Sequence, residues 1–153
     1  MTRSAGAILL AALASTGCHP SRGGSAAAGP ITVTHAVLPA PASTAEASAF
    51  LVVANSGSVP AVLRGASSPV ADSVRAHRFT GGLMEPAGPI EVPAGGSLRF
   101  APGGLHLMLE GLRRPLAIGD TVPMLLIFEP GGALAVRVPI LNYTDAVSEI
   151  PLR

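Results

Sequence analysis

The chain has 153 residues, with ten Arg and no Lys against nine Asp and Glu, and only four Phe, one Tyr and no Trp. Its length suits a single domain with one core, and a near-neutral charge without a basic cluster argues against nucleic acid as a partner. The scarcity of aromatic rings disfavours sites that bind sugars or bases by stacking. The single Cys excludes an intramolecular disulfide and leaves at most one thiolate for metal binding.

The N-terminus has the layout of an export signal. Arg3 precedes an apolar run from Ala5 to Leu13, which is too short for a permanent membrane span. Small residues stand directly before Cys18, as in a bacterial lipoprotein processing site. We therefore expect residues 1–17 to be a signal peptide and Cys18 to be lipidated, which anchors the protein to a membrane of the periplasm or cell envelope. The alternative is an ordinary cleaved signal peptide with an unmodified Cys18.

Residues 18–30 are rich in Gly, Ala and Ser and predict a flexible tether between the membrane and the folded part. His19 lies in this segment and is interpreted as part of the tether, with at most weak metal binding at the new N-terminus.

From residue 31 onward the chain reads as short strands separated by turns rich in Gly and Pro. The predicted strands are Ile31–Leu38, Ala47–Asn55, Ala61–Ala66, Ser73–Thr80, Leu83–Glu85, Ser97–Phe100, Leu105–Leu109, Met124–Glu129 and Ala133–Ile140. After the export signal, no segment of ten or more residues has helical periodicity, and no internal repeat indicates a propeller or solenoid. The pattern predicts an all-β sandwich over residues 31–141, followed by a C-terminal tail over residues 142–153.

The segment around His106 carries two metal donors on one face of a strand. Side chains alternate along a strand, so Leu105, Leu107 and Leu109 are expected to face the core, and His106 and Met108 the other side. Two residues along a strand span about 6.6 Å, so both donors can reach one ion. Thioether sulfur prefers Cu(I) to hard cations, and imidazole tolerates it. The pair therefore indicates a Cu(I) site, whose shape Glu110 on the same face could influence.

A second donor pair, His77 and Met84, flanks Gly81-Gly82. Both central residues of a type I′ turn need positive φ, which Gly supplies without strain. A two-residue turn pairs Phe79 with Met84 and makes His77 and Met84 diagonal neighbours on one face. Since a slip of one residue would separate the two side chains, this prediction depends on the register. Of the other candidates, Met124 is interpreted as core, and His35 as a surface residue or a neighbour of the ligands.

From Gly65 to Ile140 the sequence resembles the periplasmic Cu(I) chaperones of the PCuAC type. Their hallmark is a His, ten residues, a Met, 21 residues and then His-x-Met; Met84, His106 and Met108 fit the second spacing. The segments that also match are Gly65–Pro69, Ile90–Gly96, Pro102–Leu109, Arg114–Leu116 and Gly119–Pro123.

The chain departs from this family pattern at two points. His77 and Met84 are separated by six residues instead of ten. Removing two residues from each strand of a hairpin preserves the face of every remaining side chain, so His77 is still predicted as the first ligand. Ser73 stands at the family spacing, but a hydroxyl is not a Cu(I) donor. The tail Leu141–Arg153 also lacks the His- and Met-rich sequence that some relatives carry.

The resemblance implies a cupredoxin-like antiparallel β-sandwich that binds one Cu(I) through His77, Met84, His106 and Met108. It also implies delivery of the ion to a copper-accepting protein, such as a cytochrome oxidase subunit or its assembly factor. Four neutral ligands leave a net +1 site, which we expect to be shallow and exposed.

Two alternatives to a chaperone remain open from the sequence. The shortened hairpin favours an envelope lipoprotein with a structural or interaction role and no metal. A copper-dependent oxidase is disfavoured because a redox-cycling site calls for harder donors and open coordination. No nucleophile–base pair, phosphate-binding loop or paired carboxylates stand out, so we expect no enzyme activity.

Overall fold

A computed structural model describes residues 22–151, so the predicted signal peptide and Cys18 lie outside the described residues. The strands are β1 (Gly24–Ala28), β2 (Ile31–Pro39), β3 (Glu46–Asn55), β4 (Ala61–Ser67), β5 (Ala71–Thr80), β6 (Leu83–Pro86), β7 (Ile90–Val92), β8 (Ser97–Phe100), β9 (Leu105–Leu112), β10 (Thr121–Glu129) and β11 (Gly132–Leu141), and the helix α1 is Tyr143–Glu149. Between residues 22 and 151 no helix is long and apolar enough to cross a membrane.

Seven strands form a closed ring in the order β2, β11, β10, β4, β5, β9, β3 and back to β2. The long strand β3 closes it, because its first half pairs with β9 and its second half pairs with β2 and β8. The prediction of an all-β, cupredoxin-like sandwich is confirmed, with a barrel-like shape. One pairing departs from the antiparallel pattern: β2 and β11 run parallel, with Ile140 opposite Leu38.

The core fills the inside of this ring. On β10 every second residue from Val122 to Phe128 is buried, whereas Leu125 and Ile127 on the other face are exposed in part. Met124 is 2% exposed and belongs to this core, as predicted. Leu107 and Leu109 of β9 are fully buried there as well, so β9 turns its leucines inward and its His106 and Met108 to the outer face of the sheet.

The prediction of a flexible tether over residues 18–30 is wrong for Gly24–Ala28, which form β1 and pair with β2. Small side chains suggested a linker, but an edge strand is held by backbone hydrogen bonds and does not need large side chains. At Gly24 the small size is required, since a Cβ atom there would lie 1.8 Å from the Arg137 carbonyl oxygen. The last residues of the segment, Gly29 and Pro30, form the turn into β2.

The C-terminal tail contains the helix α1, and the loop before β8 contains β7, neither of which was predicted. The helix has seven residues, too few to give a clear helical periodicity. Asn142 caps it by accepting a hydrogen bond from the Asp145 backbone N–H at 2.9 Å. Ala146 and Ile150 then pack against Val37 and Phe50 in a small second cluster.

The turn before β10 contains an acidic group that stabilises the fold in a pH-dependent way. Arg114 donates to the Asp120 carboxylate at 2.9 Å, and the Ala117 backbone N–H donates to it at 3.2 Å. The Arg114 hydrogen bond is the largest cause, followed by the backbone one, of a pKa of Asp120 below its ordinary value.

A lowered pKa in the folded state stabilises the protein above the unfolded-state pKa, and this contribution is lost as pH falls through the lowered value. We expect Asp120→Asn to lower the urea midpoint at pH 7, and the difference from the unchanged protein to shrink as the pH falls below about 4. Urea unfolding followed by circular dichroism across this pH range measures it. A midpoint difference that is equal at all pH values would contradict the ionic origin of the effect.

Candidate metal centre

The hairpin β5–β6 has the predicted register. Thr80 lies opposite Leu83, Phe79 opposite Met84, and His77 opposite Pro86. Gly81 and Gly82 have φ values of 59° and 86°, the positive values that a type I′ turn requires. His77 and Met84 are therefore diagonal neighbours on one face, as predicted for the shorter hairpin.

Strand β9 pairs with β5 and brings the second donor pair to the same face. His77 is the direct cross-strand partner of His106 on β9. Their ring centroids are 6.1 Å apart and the ring planes are nearly perpendicular, at 84°. Met108 follows two residues further on β9, opposite Arg75. The four predicted donors thus occupy adjacent positions on one face of β6, β5 and β9.

Met108 on β9 has β5 on one side and β3 on the other. On β3, its cross-strand partner is Ser48. The Ser48 hydroxyl donates to the Met108 sulfur at 4.0 Å. This contact is long and weak, as hydrogen bonds to a thioether are. The sulfur therefore keeps a lone pair that a soft metal ion can use.

The site has a buried half and an open half. His106 is 5% exposed and Met108 is 3% exposed, whereas Met84 on the hairpin is 49% exposed. His106 and Met108 on β9 are therefore buried, contrary to the expectation of a shallow, exposed site, whereas Met84 on β6 is exposed as expected. The reason is that β9 is a central strand with neighbours on both sides, whereas β6 pairs with β5 alone among the described strands.

A backbone contact sets the tautomer of His106. Its Nδ1 lies 3.0 Å from the Gly104 carbonyl oxygen, which can only accept, so Nδ1 carries the proton and donates. Nε2 then has the free lone pair. Nε2 is buried and finds no hydrogen-bond partner within residues 22–151, and the same holds for Nδ1 of His77 and of His35, of which only His77 lies beside His106. Buried polar atoms are rarely left unpaired, so a lone pair aimed at no protein group fits a metal ligand.

Glu110 shares this face but is already engaged. The Ser73 hydroxyl donates to its carboxylate at 2.7 Å, and the Arg75 guanidinium lies 3.8 Å away. Arg75 offsets the negative charge next to Met108. Ser73, the residue at the family spacing for the first ligand, supports this carboxylate instead.

A cleft of 310 Å³ opens beside the donors. It is lined by Ser48, Phe50, Phe79, Met84, Pro102, Gly103, His106 and Tyr143. Sequence reasoning missed Ser48, Phe50 and Tyr143, because they come from β3 and α1, which are distant in the chain. The cap Asn142 was the one local indication that a helix begins beside Tyr143.

His35 is not among the residues that line this cleft. It lies at a bulge of β2 with a φ of 53°, a left-handed conformation that is uncommon outside Gly. The backbone of Gly23 packs against this bulge, where a Cβ atom would lie 2.7 Å from the His35 Cα. The structure therefore gives His35 a place in the β1–β2 edge and not in the donor face.

Comparison with known proteins identifies the family. Residues 31–140 match the family described as "Putative lipoprotein LpqE-like". A curated relative, "Putative lipoprotein Lxx21020" of Leifsonia xyli subsp. xyli, is 36% identical over 103 residues. That match covers 64% of this chain and 62% of the relative, so the chain spans less than two thirds of the relative's length.

Solved structures of PCuAC domains have the same fold. The copper-bound PCuAC domain from PmoF2 is 28% identical, with a TM-score of 0.68, and the match covers 77% of this chain and 97% of that domain. The Cu(I) form of DR1885 from Deinococcus radiodurans is 32% identical, with a TM-score of 0.64, over 76% of this chain and 81% of that protein. The chain therefore belongs to the LpqE-like family and is of the PCuAC type, as the spacing of Met84, His106 and Met108 predicted.

Proposed function

We propose that this protein is a copper chaperone of the cell envelope that binds one Cu(I) through His77, Met84, His106 and Met108. The observation that carries the proposal is the direct pairing of His77 with His106, flanked on the same face by the two thioethers. The unpaired, buried Nε2 of His106 supports it further. Two related proteins are copper-bound in their solved structures, which makes the same cargo reasonable here.

The donor set selects the oxidation state. Two imidazoles and two thioethers are neutral, and soft thioether sulfur prefers Cu(I) to Cu(II) or to hard divalent cations. Glu110, the carboxylate on the same face, is paired with Arg75 and Ser73, so it does not stand beside Met108 as a free anion that would favour a harder ion. A site of this kind holds copper in one oxidation state and suits transport, not enzymatic redox chemistry.

The division into a buried and an open half suits transfer of the ion. His106 and Met108 bind the ion from the buried side of the site. Met84 is half exposed, so a ligand of the recipient can replace it. The exchange then passes through an intermediate shared by the two proteins, and the ion is never free. The recipient we propose is a cytochrome oxidase subunit or its assembly factor, in the periplasm or at the membrane to which Cys18 anchors the carrier.

Two buried methionines of the chain provide a matched test. Met108→Leu and Met124→Leu remove one sulfur each from side chains that are 3% and 2% exposed. Exchanging Met for Leu in a packed site costs less than about 1.5 kcal/mol, so both variants are expected to fold. Cu(I) affinity is measured without oxygen, by competition with a chromogenic Cu(I) chelator.

We expect Met108→Leu to weaken Cu(I) binding about 10- to 100-fold or more. Even residues that only orient a metal ligand by a hydrogen bond contribute that much to metal affinity. Met124→Leu is expected to bind one Cu(I) as the unchanged protein does. Equal affinities in all three proteins would contradict the assignment of Met108. No competition with the chelator by the unchanged protein would contradict copper transport and leave a structural or interaction role for the lipoprotein.

A further inference from the structure

The N-terminal end of the described chain is held against the helix that borders the copper cleft. The Arg22 guanidinium donates to the Asp145 carboxylate at 3.0 Å. The backbone N–H groups of Arg22 and Gly23 donate to the two oxygens of Glu149, at 3.0 and 3.3 Å. Three contacts thus hold Arg22 and Gly23 against α1, and β1 follows directly.

Chain length then limits how far the membrane anchor can lie from this point. Cys18 precedes Arg22 by four residues, which span at most about 14 Å when fully extended. Asp145, the partner of Arg22, is two residues from Tyr143, about 3 Å along the helix axis and about 200° around it, so Arg22 contacts the side of α1 away from the Tyr143 ring. Tyr143 lines the cleft that also contains His106 and Met84. A lipid on Cys18 would therefore hold the bilayer close to α1, the helix that carries Tyr143 of the cleft.

The rim of the cleft has the character of a surface that meets lipid. Phe79, Met84 and Tyr143 all line it, and they are 45%, 49% and 64% exposed. Exposed apolar side chains that lie together in one group indicate an interaction surface, whereas single ones do not. Tyr is enriched at the level of lipid headgroups, because its ring is apolar and its hydroxyl can stay hydrated.

We propose that the domain lies on the bilayer in one orientation, with α1 and the rim of the copper cleft against the lipid surface and the opposite end pointing away. The inference rests on the proposed lipidation of Cys18. A copper acceptor then has to reach the cleft at the membrane surface. The contacts of Arg22 and Gly23 with α1 narrow the range of orientations, since without them the chain is first held at Gly24 in β1 and the anchor gains two residues of reach.

Single tryptophans can report the orientation, since the chain has none of its own. Tyr143→Trp places the probe on the cleft rim, and Val59→Trp places it in the exposed loop after β3. Phe50 of the cleft and Asn55 at the end of β3 are about 16 Å apart along the strand. The Asn55 side chain donates to the Val59 carbonyl at 2.8 Å, so Val59 lies at the end of β3 away from Phe50. The lipidated full chain is inserted into phosphatidylcholine vesicles with or without bromine on the acyl chains, and fluorescence quenching is measured.

We expect a several-fold larger loss of fluorescence for Tyr143→Trp than for Val59→Trp in brominated vesicles. Adding Arg22→Ala and Glu149→Ala together is expected to reduce that difference, because the side-chain contacts that hold Arg22 and Gly23 against α1 are lost. Equal quenching at both positions or stronger quenching at Val59→Trp would overturn the proposal. A difference that is unchanged in the variant with Arg22→Ala and Glu149→Ala would also overturn it.

Two further measurements separate this inference from the proposed function. The intact mass of the mature protein reports whether Cys18 carries lipid, and an unmodified Cys18 would overturn the orientation while leaving copper transport untouched. Conversely, the Cu(I) competition is carried out without vesicles and does not depend on the orientation of the domain. Failure of copper binding with intact quenching at Tyr143→Trp would leave the orientation standing and remove the proposed function.

Discussion

Replacing His106 with Ala is expected to weaken Cu(I) binding more than any other single substitution in the chain. The imidazole is buried, its Nδ1 is committed to the Gly104 carbonyl, and its Nε2 is free for the ion. Partners that merely orient a ligand contribute about 10- to 100-fold in metal affinity, so loss of the ligand itself is expected to cost at least about 100-fold. Competition with the chromogenic Cu(I) chelator measures this loss.

Folding of the His106→Ala variant has to be established by urea unfolding before its affinity is interpreted. Glu110→Gln is the matched control, because it changes a side chain on the same face of β9 without removing a soft donor. It is expected to bind Cu(I) nearly as the unchanged protein does. A folded His106→Ala variant with undiminished affinity would rule out His106 as a ligand.

His77→Ala in the same assay tests the shortened hairpin. His77 lies opposite His106, so its removal is expected to weaken binding, although the ring is less buried than that of His106. Affinity that does not depend on His77 would mean that the site has three ligands, from Met84, His106 and Met108. The arrangement of donors on β9 would stand in either case.

Replacing Leu107 with Ala is expected to produce a large loss of stability without a direct effect on the metal. Leu107 follows His106 on β9 but points to the opposite face, where it is fully buried in the core. Truncating a buried Leu to Ala costs about 2–5 kcal/mol, from lost burial and from the cavity that remains. The free energy of unfolding, measured in urea, is expected to fall by this amount.

Leu125→Ala is the control for this substitution, since Leu125 is on the exposed face of β10. Its cost is expected to be about 1 kcal/mol or less. The folded fraction of Leu107→Ala should still bind Cu(I) with roughly the affinity of the unchanged protein. Equal destabilisation by the two substitutions would contradict the assignment of the two faces.

Much of the fold could be predicted because it depends on local patterns. Nine strands were predicted at or near their observed positions, since turn residues mark the ends of strands and alternation marks their faces. The register of the His77–Met84 hairpin followed from Gly81 and Gly82 alone, because a two-residue turn fixes the pairing of its strands. The elements that were missed have weaker local patterns: β1 consists of Gly, Ala and Ser, β7 has three residues and α1 has seven.

The sequence by itself determined the face of each donor on its own strand, the hairpin register and the kind of metal that two imidazoles and two thioethers prefer. Only the tertiary structure decided that β5 pairs with β9 so that His77 meets His106, and that β3 covers the other side of Met108. It also decided that α1 carries Tyr143 to the cleft and binds Arg22. The physical reason is that turn geometry and side-chain alternation act over a few residues, whereas strand order and burial depend on how distant segments pack around one core.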